Sequence, residues 1–459
     1  MVTGTLAVLV KIILGLVGMG IVVLVHELGH FTAARLLGIE VEAFSLGWGR
    51  PLLRKKMGAV EYRIGILPLG GYCKLKGEAE YQAAISSPGA ELPRTPGTFF
   101  GAKPWRRIIV SAAGPLSNVV FAALVFMFIW GSGFEIRSLD NRIVLASEIN
   151  PEEQYPADEA GLKTGDRIVE IAGRPITNYR DIQEAIAPRG DIPTLIKAER
   201  QGAVLETELV PRIDKSSGAG KLGVYYWADP VIASVTPGSP AHKGGLEKGD
   251  LIRAVNGGEL PYTVALFPLL RDKPSLLTVE YLREGVTHNA ALELSYDSGG
   301  AADIGIEFET ISYPVQGLPP HRAVLKGLGE TWNTLTLSLR SLALLFKGID
   351  LTQAVSGPVR ITYMVGDVAA EGFGQGLREG LISMGNFLAL ISIALCIMNL
   401  LPIPVLDGGM IALFIFEGIM RRPIRAKTIY IFQTVGAVVI FGLMIFAVFG
   451  DILFLAGRR

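Results

Sequence analysis

The stretch that most restricts this chain is an apolar run near its start that ends in a metal-binding pattern. Residues 6–25 are apolar apart from Lys11, and they lead directly into the pattern H-E-x-x-H at residues 26–30. About 20 apolar residues can cross a bilayer, and in lipid a segment must satisfy its own backbone hydrogen bonds, so the run predicts a membrane helix. Lys11 can carry its ammonium to the interface on its long stem. The helix is predicted to continue as far as Gly38.

A cleaved signal peptide is the alternative for this segment. No A-x-A-like cleavage site follows the apolar run, and the possible metal ligands of the H-E-x-x-H pattern lie at its end. Cleavage is therefore not predicted.

His26 and His30 are spaced to bind one metal ion. Residues four apart lie on the same face of an α-helix, so both imidazoles can reach the same ion, while Glu27 is offset toward a water beside it. A chance pattern on a solvated helix face is the alternative, but idle polar and charged groups are costly next to lipid. The sequence therefore predicts a catalytic zinc site that takes a third protein ligand from elsewhere.

The composition agrees with a membrane protein that has substantial soluble parts. Half of the 459 residues are apolar, and the formal net charge is zero. Zero net charge argues against a nucleic-acid surface. The two cysteines, Cys73 and Cys396, are predicted to lie in a loop and in a membrane helix, so neither a disulfide framework nor thiolate metal ligation is expected.

A loop rich in Gly, Pro and basic residues is predicted over residues 39–103. Strand-like segments at 60–66 and 71–75 flank a turn signal at 68–71, which indicates a β-hairpin. Two readings remain open. The hairpin dips toward the membrane beside the first helix, or it is a cytoplasmic hairpin without a catalytic role.

A second span is predicted over residues 108–130, and it contains Gly114-Pro115 followed by Asn118. The Gly-Pro pair predicts a break in the helix, which membrane helices tolerate. Asn118 either forms a structural hydrogen bond or contacts substrate. Further along, residues 322–346 have the helical spacing and the charges of a helix that lies against the membrane.

An internal repeat occupies the middle of the chain. Residues 156–168 match residues 240–252 at an offset of 84 (240 − 156). The shared pattern P-A-x-x-[AG]-G-L-x-x-G-D-x-I resembles PDZ domains of the bacterial protease-associated type. Two tandem α+β PDZ-like domains are therefore expected, which either bind extended peptides or C-termini or act only as steric filters. Surface or core positions, not metal binding, are predicted for three further histidines, His242, His288 and His321.

The third span, predicted over residues 381–401, runs into the pattern N-x-x-P-x-P-x-L-D-G. Pro402 and Pro404 end the helix, and Asp407 follows in an uncharged environment. A lone carboxylate at membrane depth needs a cation as partner. The predicted zinc site lacks one protein ligand, so Asp407 is predicted to supply it.

A fourth span is predicted over residues 429–449, after a basic hairpin at 421–427. The positive-inside rule places this hairpin and the loop after the first span in the cytoplasm. Both termini and the PDZ-like domains are then expected on the periplasmic side of a bacterial inner membrane. The predicted segments are 1–38, first transmembrane helix; 39–103, β-loop region; 104–132, second helix; 133–221 and 222–310, PDZ-like domains; 311–375, amphipathic helical linker; 376–420, third transmembrane segment; 421–459, fourth helix and C-terminus.

The combination of H-E-x-x-H, two PDZ-like copies and N-x-x-P-x-P-x-L-D-G resembles the site-2 protease family of intramembrane zinc metalloproteases, of the bacterial RseP type. The resemblance implies cleavage of single-span membrane proteins, such as an anti-sigma factor already trimmed by another protease. It implies zinc ligation by His26, His30 and Asp407, with Glu27 as general base. Substrate contacts are implied for a further set of residues: Gly71, Tyr72, Asn118, Asn399, Pro402 and Pro404.

The expected architecture is a polytopic α-helical membrane protein with four transmembrane helices, a membrane-associated β-hairpin region and two PDZ-like domains. Two alternatives of other kinds remain. One is a non-enzymatic PDZ membrane scaffold, whose zinc site would be closed by four protein ligands or absent. The other is an H-E-x-x-H peptidase that cleaves non-membrane peptides and needs no Asp407 in the bilayer.

Overall fold

The structure is a computed structural model that describes residues 2–86, 95–151, 153–214, 218–296, 302, 304–345 and 357–456. The chain divides into two compact units. The first, called the membrane unit below, consists of residues 1–134, 316–342 and 355–452. The second, called the extramembrane unit below, consists of residues 135–315, 343–354 and 453–459.

Long helices form the two ends of the chain, and short strands and helices form its middle. The helices are α1 Val2–Leu36, α2 Glu78–Ser86, α3 Pro104–Ser132, α4 Ala146–Ile149, α5 Pro156–Glu159, α6 Tyr179–Ile186, α7 Pro240–Lys243, α8 Leu266–Arg271, α9 Pro320–Leu345, α10 Pro358–Gln375, α11 Leu377–Leu400, α12 Asp407–Met420 and α13 Ala426–Ala456. The strands are β1 Val41–Met57, β2 Val60–Leu75, β3 Phe134–Ser138, β4 Ile143–Leu145, β5 Arg167–Ile171, β6 Arg174–Pro175, β7 Thr194–Arg200, β8 Ala203–Leu209, β9 Arg212–Ile213, β10 Gly220–Lys221, β11 Val224–Tyr226, β12 Ile232–Val235, β13 Leu251–Val255, β14 Gly258–Glu259, β15 Leu276–Arg283, β16 Val286–Glu293, β17 Ile306–Phe308 and β18 Ile311–Val315.

Within the described residues, four helices are long and apolar enough to cross a membrane. These spans are Leu9–Leu36, Pro104–Ser132, Leu377–Leu400 and Ala426–Asp451. They lie in α1, α3, α11 and α13, where the sequence predicts four spans. Large apolar side chains stay exposed along them, as expected for helices that face lipid.

Helix α3 passes through Pro115 without ending, so the predicted break at Gly114-Pro115 is wrong. The Ser117 hydroxyl lies 2.7 Å from the carbonyl oxygens of both Gly114 and Val25. Membrane helices tolerate proline where neighbouring helices and Ser or Thr side chains satisfy loosened backbone groups.

Helix α10 packs directly against α1 in the membrane unit. A Cβ atom at Gly366 would lie 1.8 Å from the Lys11 carbonyl oxygen, so only glycine allows the two backbones to approach this closely. Lys11 Nζ also lies 2.5 Å from Asp367 Oδ1. The predicted linker over 311–375 therefore contains a helix that packs on the first span. Residues 346–356 of this linker and the final residues 457–459 lie outside the described part of the chain.

The β-loop region forms strands where they are predicted, but the strands pair differently. Residues 71–75 lie beside 41–46, with Phe44 opposite Cys73, and the same segment 41–46 also lies beside 61–64. The tight hairpin instead joins Met57 to Val60. The two predicted strands thus flank 41–46 and do not pair with each other, because the Gly- and Pro-rich segment at 68–71 carries the chain across that strand.

The second unit contains two four-stranded antiparallel sheets of the same construction. Their strand orders are β6-β5-β7-β8 and β14-β13-β15-β16. Each sheet has its own core of buried apolar residues, the first including Ile168 and Ile196, and the second including Ile252 and Leu277. The sequence repeat is therefore also a repeat in structure.

An ion pair recurs at the same place in both sheets. Arg200 Nε lies 2.7 Å from Asp166 Oδ1, and Arg283 Nε lies 2.7 Å from Asp250 Oδ1. In both copies the guanidinium also donates to a glycine carbonyl. Burial tends to raise the pKa of Asp250, but the hydrogen bonds and charge of Arg283 outweigh it and leave this pKa below its ordinary value. The first pair connects the loop before β5 to the end of β7, and the second connects the loop before β13 to the end of β15.

Strand β11 belongs structurally with the first sheet's core. It pairs with β4, and Leu222 is buried in the first core. Tyr225 and Tyr226, in contrast, pack in a separate cluster that joins Val144 of the first copy to Tyr262 and Val264 of the second.

Candidate metal centre

Three side chains that are distant in sequence meet in the membrane unit. His26 Nε2 lies 3.2 Å from His30 Nε2 and 3.2 Å from Asp407 Oδ2. His30 Nε2 lies 3.5 Å from Asp407 Oδ1. The described residues thus contain one cluster of histidine and acidic side chains with the spacing of metal ligands.

The donor set fits a zinc ion. Ligand atoms about 2.0–2.1 Å from a tetrahedral zinc ion are separated by about 3.4 Å from one another, close to the spacing found in this cluster. His30 Nδ1 lies 2.8 Å from the Val110 carbonyl, which can only accept, so the neutral ring carries its proton there and a lone pair on Nε2. That lone pair faces a carboxylate, an arrangement that a cation between them stabilises. Three protein ligands leave a fourth position open, as in catalytic zinc sites.

Two glycines allow α3 to approach α1 at this point. A Cβ at Gly29 would lie 2.3 Å from the Ala113 carbonyl oxygen, and a Cβ at Gly114 would lie 2.2 Å from His30 Nε2. Gly114, which the sequence suggested as part of a helix break, instead leaves room for a ligand imidazole. Only the packing of the two helices reveals this role.

Asn118 lies beside the other imidazole. It is fully buried, and its amide nitrogen is 3.4 Å from His26 Nδ1. Its Oδ1 atom has no hydrogen-bond partner. The oxygen and nitrogen of the Asn118 amide can be exchanged without a change in the shape of the side chain. In the exchanged orientation Oδ1 accepts a hydrogen bond from His26 Nδ1–H, and the lone pair of the His26 ring lies on Nε2.

Asp407 is presented by a sharp interruption between two helices. Helix α11 ends at Leu400 and α12 begins at Asp407 itself, so the carboxylate lies at the positive end of the α12 dipole. Val405 has φ +79°, a strained value for a β-branched residue. Cβ atoms at Gly408 and Gly409 would lie 2.2–2.3 Å from carbonyl oxygens of the interruption, so both positions require glycine. The sequence indicated the proline break, but no pattern indicated strain at Val405.

Glu27 faces the cluster without completing it. Its carboxyl interacts electrostatically with His30, His26 and Asp407, and it accepts a hydrogen bond from the Cys73 backbone. Burial raises the pKa of the Cys73 thiol to about 12, so this side chain is a neutral thiol and not a thiolate ligand. Glu27 is thus a carboxyl group beside the convergence point of the three ligand atoms.

Residues 70–73 pass directly over the first helix at Glu27. A Cβ at Gly71 would lie 3.2 Å from Glu27 Cγ and 3.2 Å from Val23 Cγ1. The Tyr72 hydroxyl instead accepts a hydrogen bond from Arg63 at 3.0 Å. Of the two residues predicted in this segment, Gly71 lies at the centre, while the Tyr72 hydroxyl is engaged within the β region.

The remaining predicted residues lie around the interruption before Asp407. Asn399 is half-buried near the end of α11, and Pro402 is exposed. Pro404 packs against α13, where a Cβ at Gly436 would lie 2.3 Å from its carbonyl oxygen. This contact gives Pro404 a packing role. A substrate contact by Asn399 or Pro402 stays a prediction.

Two imidazoles one helical turn apart, a carboxylate from a broken helix and a neighbouring glutamate define the centre of a membrane metallopeptidase. Residues 14–443 match Peptidase family M50. The chain belongs to this family.

Relatives match over nearly their full length. A Treponema pallidum protein whose name gives it as a candidate zinc metalloprotease is 37% identical over 450 residues, which is 97% of this chain and all of that protein. The regulator of sigma-E protease RseP of Escherichia coli is 30% identical over 465 residues, covering 95% of this chain and 97% of that protein. The PDZ domain of an SdrC-like protein from Listeria monocytogenes covers 18% of this chain and 90% of that structure, with 23% identity and a TM-score of 0.16, so it carries no argument about this chain.

The protein is therefore a zinc-dependent intramembrane protease of regulated intramembrane proteolysis, and a multi-pass inner-membrane protein. The family agrees with the resemblance that the motifs indicate. Membership of this family argues against the two alternative functions, a non-enzymatic scaffold and a peptidase for non-membrane peptides.

Proposed function

We propose that His26, His30 and Asp407 hold the zinc ion and that Glu27 acts as general base in cleaving the membrane segment of a single-span protein. The observation that carries the proposal is the meeting of three ligand atoms at 3.2–3.5 Å on apolar helices, with Glu27 beside them. A substrate that reaches this centre is itself in lipid.

A zinc ion held by His26, His30 and Asp407 would supply Lewis-acid chemistry, which lowers the pKa of a bound water and polarises a carbonyl. Glu27 takes a proton from the attacking water and returns it to the leaving amine. Helix α3 fixes both imidazoles during this transfer, through the Val110 carbonyl at His30 and the Asn118 amide at His26.

Asn118 positions His26 in this proposal, and this role replaces the predicted substrate contact. Its carbonyl oxygen accepts from His26 Nδ1–H, as the Val110 carbonyl does for His30. Partners of this kind fix the ring orientation and the tautomer of a metal-binding histidine. The unpartnered, fully buried Oδ1 atom supports this assignment.

Replacing Asn118 with Ala is expected to lower zinc affinity by about 10–100-fold. Asn118→Asp keeps an acceptor for His26 Nδ1–H and is expected to retain near-normal affinity. Competition for zinc with a chromogenic chelator measures both. If Asn118→Ala binds zinc as tightly as the wild type, the positioning role is excluded.

The segment at 71–75 is proposed to receive the unwound substrate. It pairs with residues 41–46 on one side, and no described strand pairs with its other side. Gly71 places this edge next to Glu27, whose carboxyl accepts a hydrogen bond from the Cys73 backbone. A helical substrate hides its carbonyls in hydrogen bonds, so addition as an extended strand would expose the scissile bond to the base.

The extramembrane unit is proposed to contain two PDZ-like modules that face the periplasm, with both termini on the same side. The two repeated sheets support the module count, and the basic residues at 421–427 support the orientation. By analogy with relatives named as regulators of sigma-E, the substrate is proposed to be a trimmed anti-sigma factor. The two modules would exclude substrates with large ectodomains. The segment boundaries predicted from the sequence are likewise proposals.

The purified protein in liposomes is expected to cleave a trimmed single-span substrate within its membrane segment. A chelator should abolish the cleavage, and added zinc should restore it. Sizing the products by mass spectrometry locates the cut.

The untrimmed substrate serves as the comparison. The full chain should leave it intact, whereas a chain lacking residues 133–309 should cleave it. A cut outside the membrane segment, or cleavage that resists the chelator, would contradict the proposed reaction. Unchanged selectivity after the deletion would contradict the size filter alone.

A further inference from the structure

A cavity of about 450 Å³ lies between the start of α3 and the hairpin that follows α12. Its lining residues are 100–105 and 107 on one side, and 417, 418 and 421–424 on the other. It is separate from the metal centre, since none of the three ligand residues or Glu27 lines it.

The cavity is strongly basic. Lys103, Arg107, Arg421 and Arg422 line it, and Glu417 is its one acidic lining residue. Glu417 is fully engaged by Arg107, with oxygen–nitrogen distances of 2.6 and 3.2 Å in a buried pair. The other three cations have no carboxylate partner among the described residues. Within the described part of the chain, the cavity therefore carries three positive charges without a carboxylate partner.

The backbone adds to this positive potential. Helix α3 begins at Pro104, and its first turn contains no acidic residue and no side-chain cap. The N-terminal end of a long helix carries about half a positive charge, which favours a bound anion. The side-chain cations and the helix dipole thus point to the same ligand charge.

The cavity lies at the edge of the membrane. Pro104 is the first residue of a spanning helix, and the neighbouring Trp105, 49% exposed, is of the type enriched at membrane interfaces. Arg106 Nη1 donates to the Leu37 carbonyl at 3.3 Å, so the start of α3 and the end of α1 lie at the same level. Exposed apolar side chains, including Ile419 and Met420, flank the opening on α12.

We propose that this cavity binds the phosphate headgroup of an anionic phospholipid. Basic pockets between membrane helices at the interface select such headgroups. A free phosphate shares the charge but not the acyl chains, and the exposed apolar residues beside the cavity offer those chains a surface.

The bound headgroup bridges two helices of the metal centre. Helix α3 carries Val110 and Asn118, and α12 begins at Asp407, ten residues before Glu417 (417 − 407). At 1.5 Å per residue, the cavity lies about 15 Å from the carboxylate ligand along α12. The lipid thereby fastens together the ends of two helices that position zinc ligands.

The test titrates short-chain phosphatidylglycerol and short-chain phosphatidylcholine into the full-length protein in neutral detergent, with bound lipid counted by native mass spectrometry. The double variant Arg421→Gln, Arg422→Gln is expected to bind phosphatidylglycerol about 30-fold more weakly, and phosphatidylcholine should bind weakly to every form. The matched control is Arg425→Gln, Lys427→Gln, which removes the same charge from the same hairpin outside the cavity lining. The control should bind like the wild type.

Equal loss in both double variants would overturn the proposal, because it would reduce the effect to general surface charge. Binding of inorganic phosphate as tight as that of phosphatidylglycerol would also overturn it and indicate an adventitious ion only. If the double variant does not fold, as judged by its thermal unfolding and zinc content, Lys103→Gln provides the second measurement. This single change is expected to weaken phosphatidylglycerol binding about fivefold, and wild-type affinity in it would contradict the site.

Discussion

Glu27→Gln is expected to lower the rate of peptide cleavage by about 10²–10⁴-fold while zinc content stays at the wild-type level. The amide has the shape of the carboxylate but cannot accept the proton of the attacking water. Glu27 faces the cluster without being one of its three convergent ligands, so the metal should remain. Single-turnover cleavage of the trimmed substrate and elemental analysis of the same preparation measure the two quantities.

The matched control for this prediction is Glu379→Gln, the same change in the first turn of α11, away from the described cluster. It should cleave at the wild-type rate. A Glu27→Gln protein that cleaves normally would remove Glu27 from the mechanism, and one that loses zinc would make Glu27 a ligand.

Asp407→Ala is expected to lower zinc affinity by more than about 100-fold, and activity should be lost with it. Loss of an outer-shell partner alone costs about 10–100-fold in comparable sites, and this variant removes a proposed direct ligand. Two imidazoles would remain, and the ion would lose the one carboxylate among its three proposed ligands. Zinc content after dialysis against a weak chelator measures the loss.

The control removes a carboxylate elsewhere. Asp272 is exposed in the second unit, so Asp272→Ala should keep the full zinc content. Unchanged zinc content in Asp407→Ala would exclude this residue as a ligand and would leave His26 and His30 in need of another partner.

The main parts of the proposed metal centre are predictable from the sequence because lipid makes isolated polar groups costly. The H-E-x-x-H pattern and Asp407 are polar interruptions in apolar runs, and each is incomplete alone. Their meeting in space follows from that shared need for a partner. The four spans follow from the same physics, since apolar length decides them.

The contacts around the centre depend on how the helices pack against one another, and no periodic pattern in the sequence indicates that packing. Gly114 makes room for His30, and Asn118 reaches His26, only because α3 crosses α1 at one particular height. A sequence pattern gives each helix and its faces, but it does not give the level at which two helices cross. The strain at Val405 is equally invisible, because the residue itself prefers an extended backbone.

The β region shows a different kind of limit. The strands at 60–66 and 71–75 were predictable from composition, but their neighbour was not. Sequence proximity favours a hairpin between them, whereas the structure inserts 41–46 between the two. Local turn signals decide where strands end, and burial against the first helix decides how they pair.

The proposed ligands come from opposite ends of the polypeptide, and this has a consequence for biosynthesis. His30 and Asp407 are separated by 377 positions (407 − 30). A ribosome that adds 5–20 residues per second needs about 20–75 s to travel from the first to the second. Throughout this interval the nascent protein has inserted its two imidazoles without the carboxylate that completes the proposed centre. A prematurely terminated product would thus be proteolytically inert, and the host membrane would be spared uncontrolled cutting by unfinished copies.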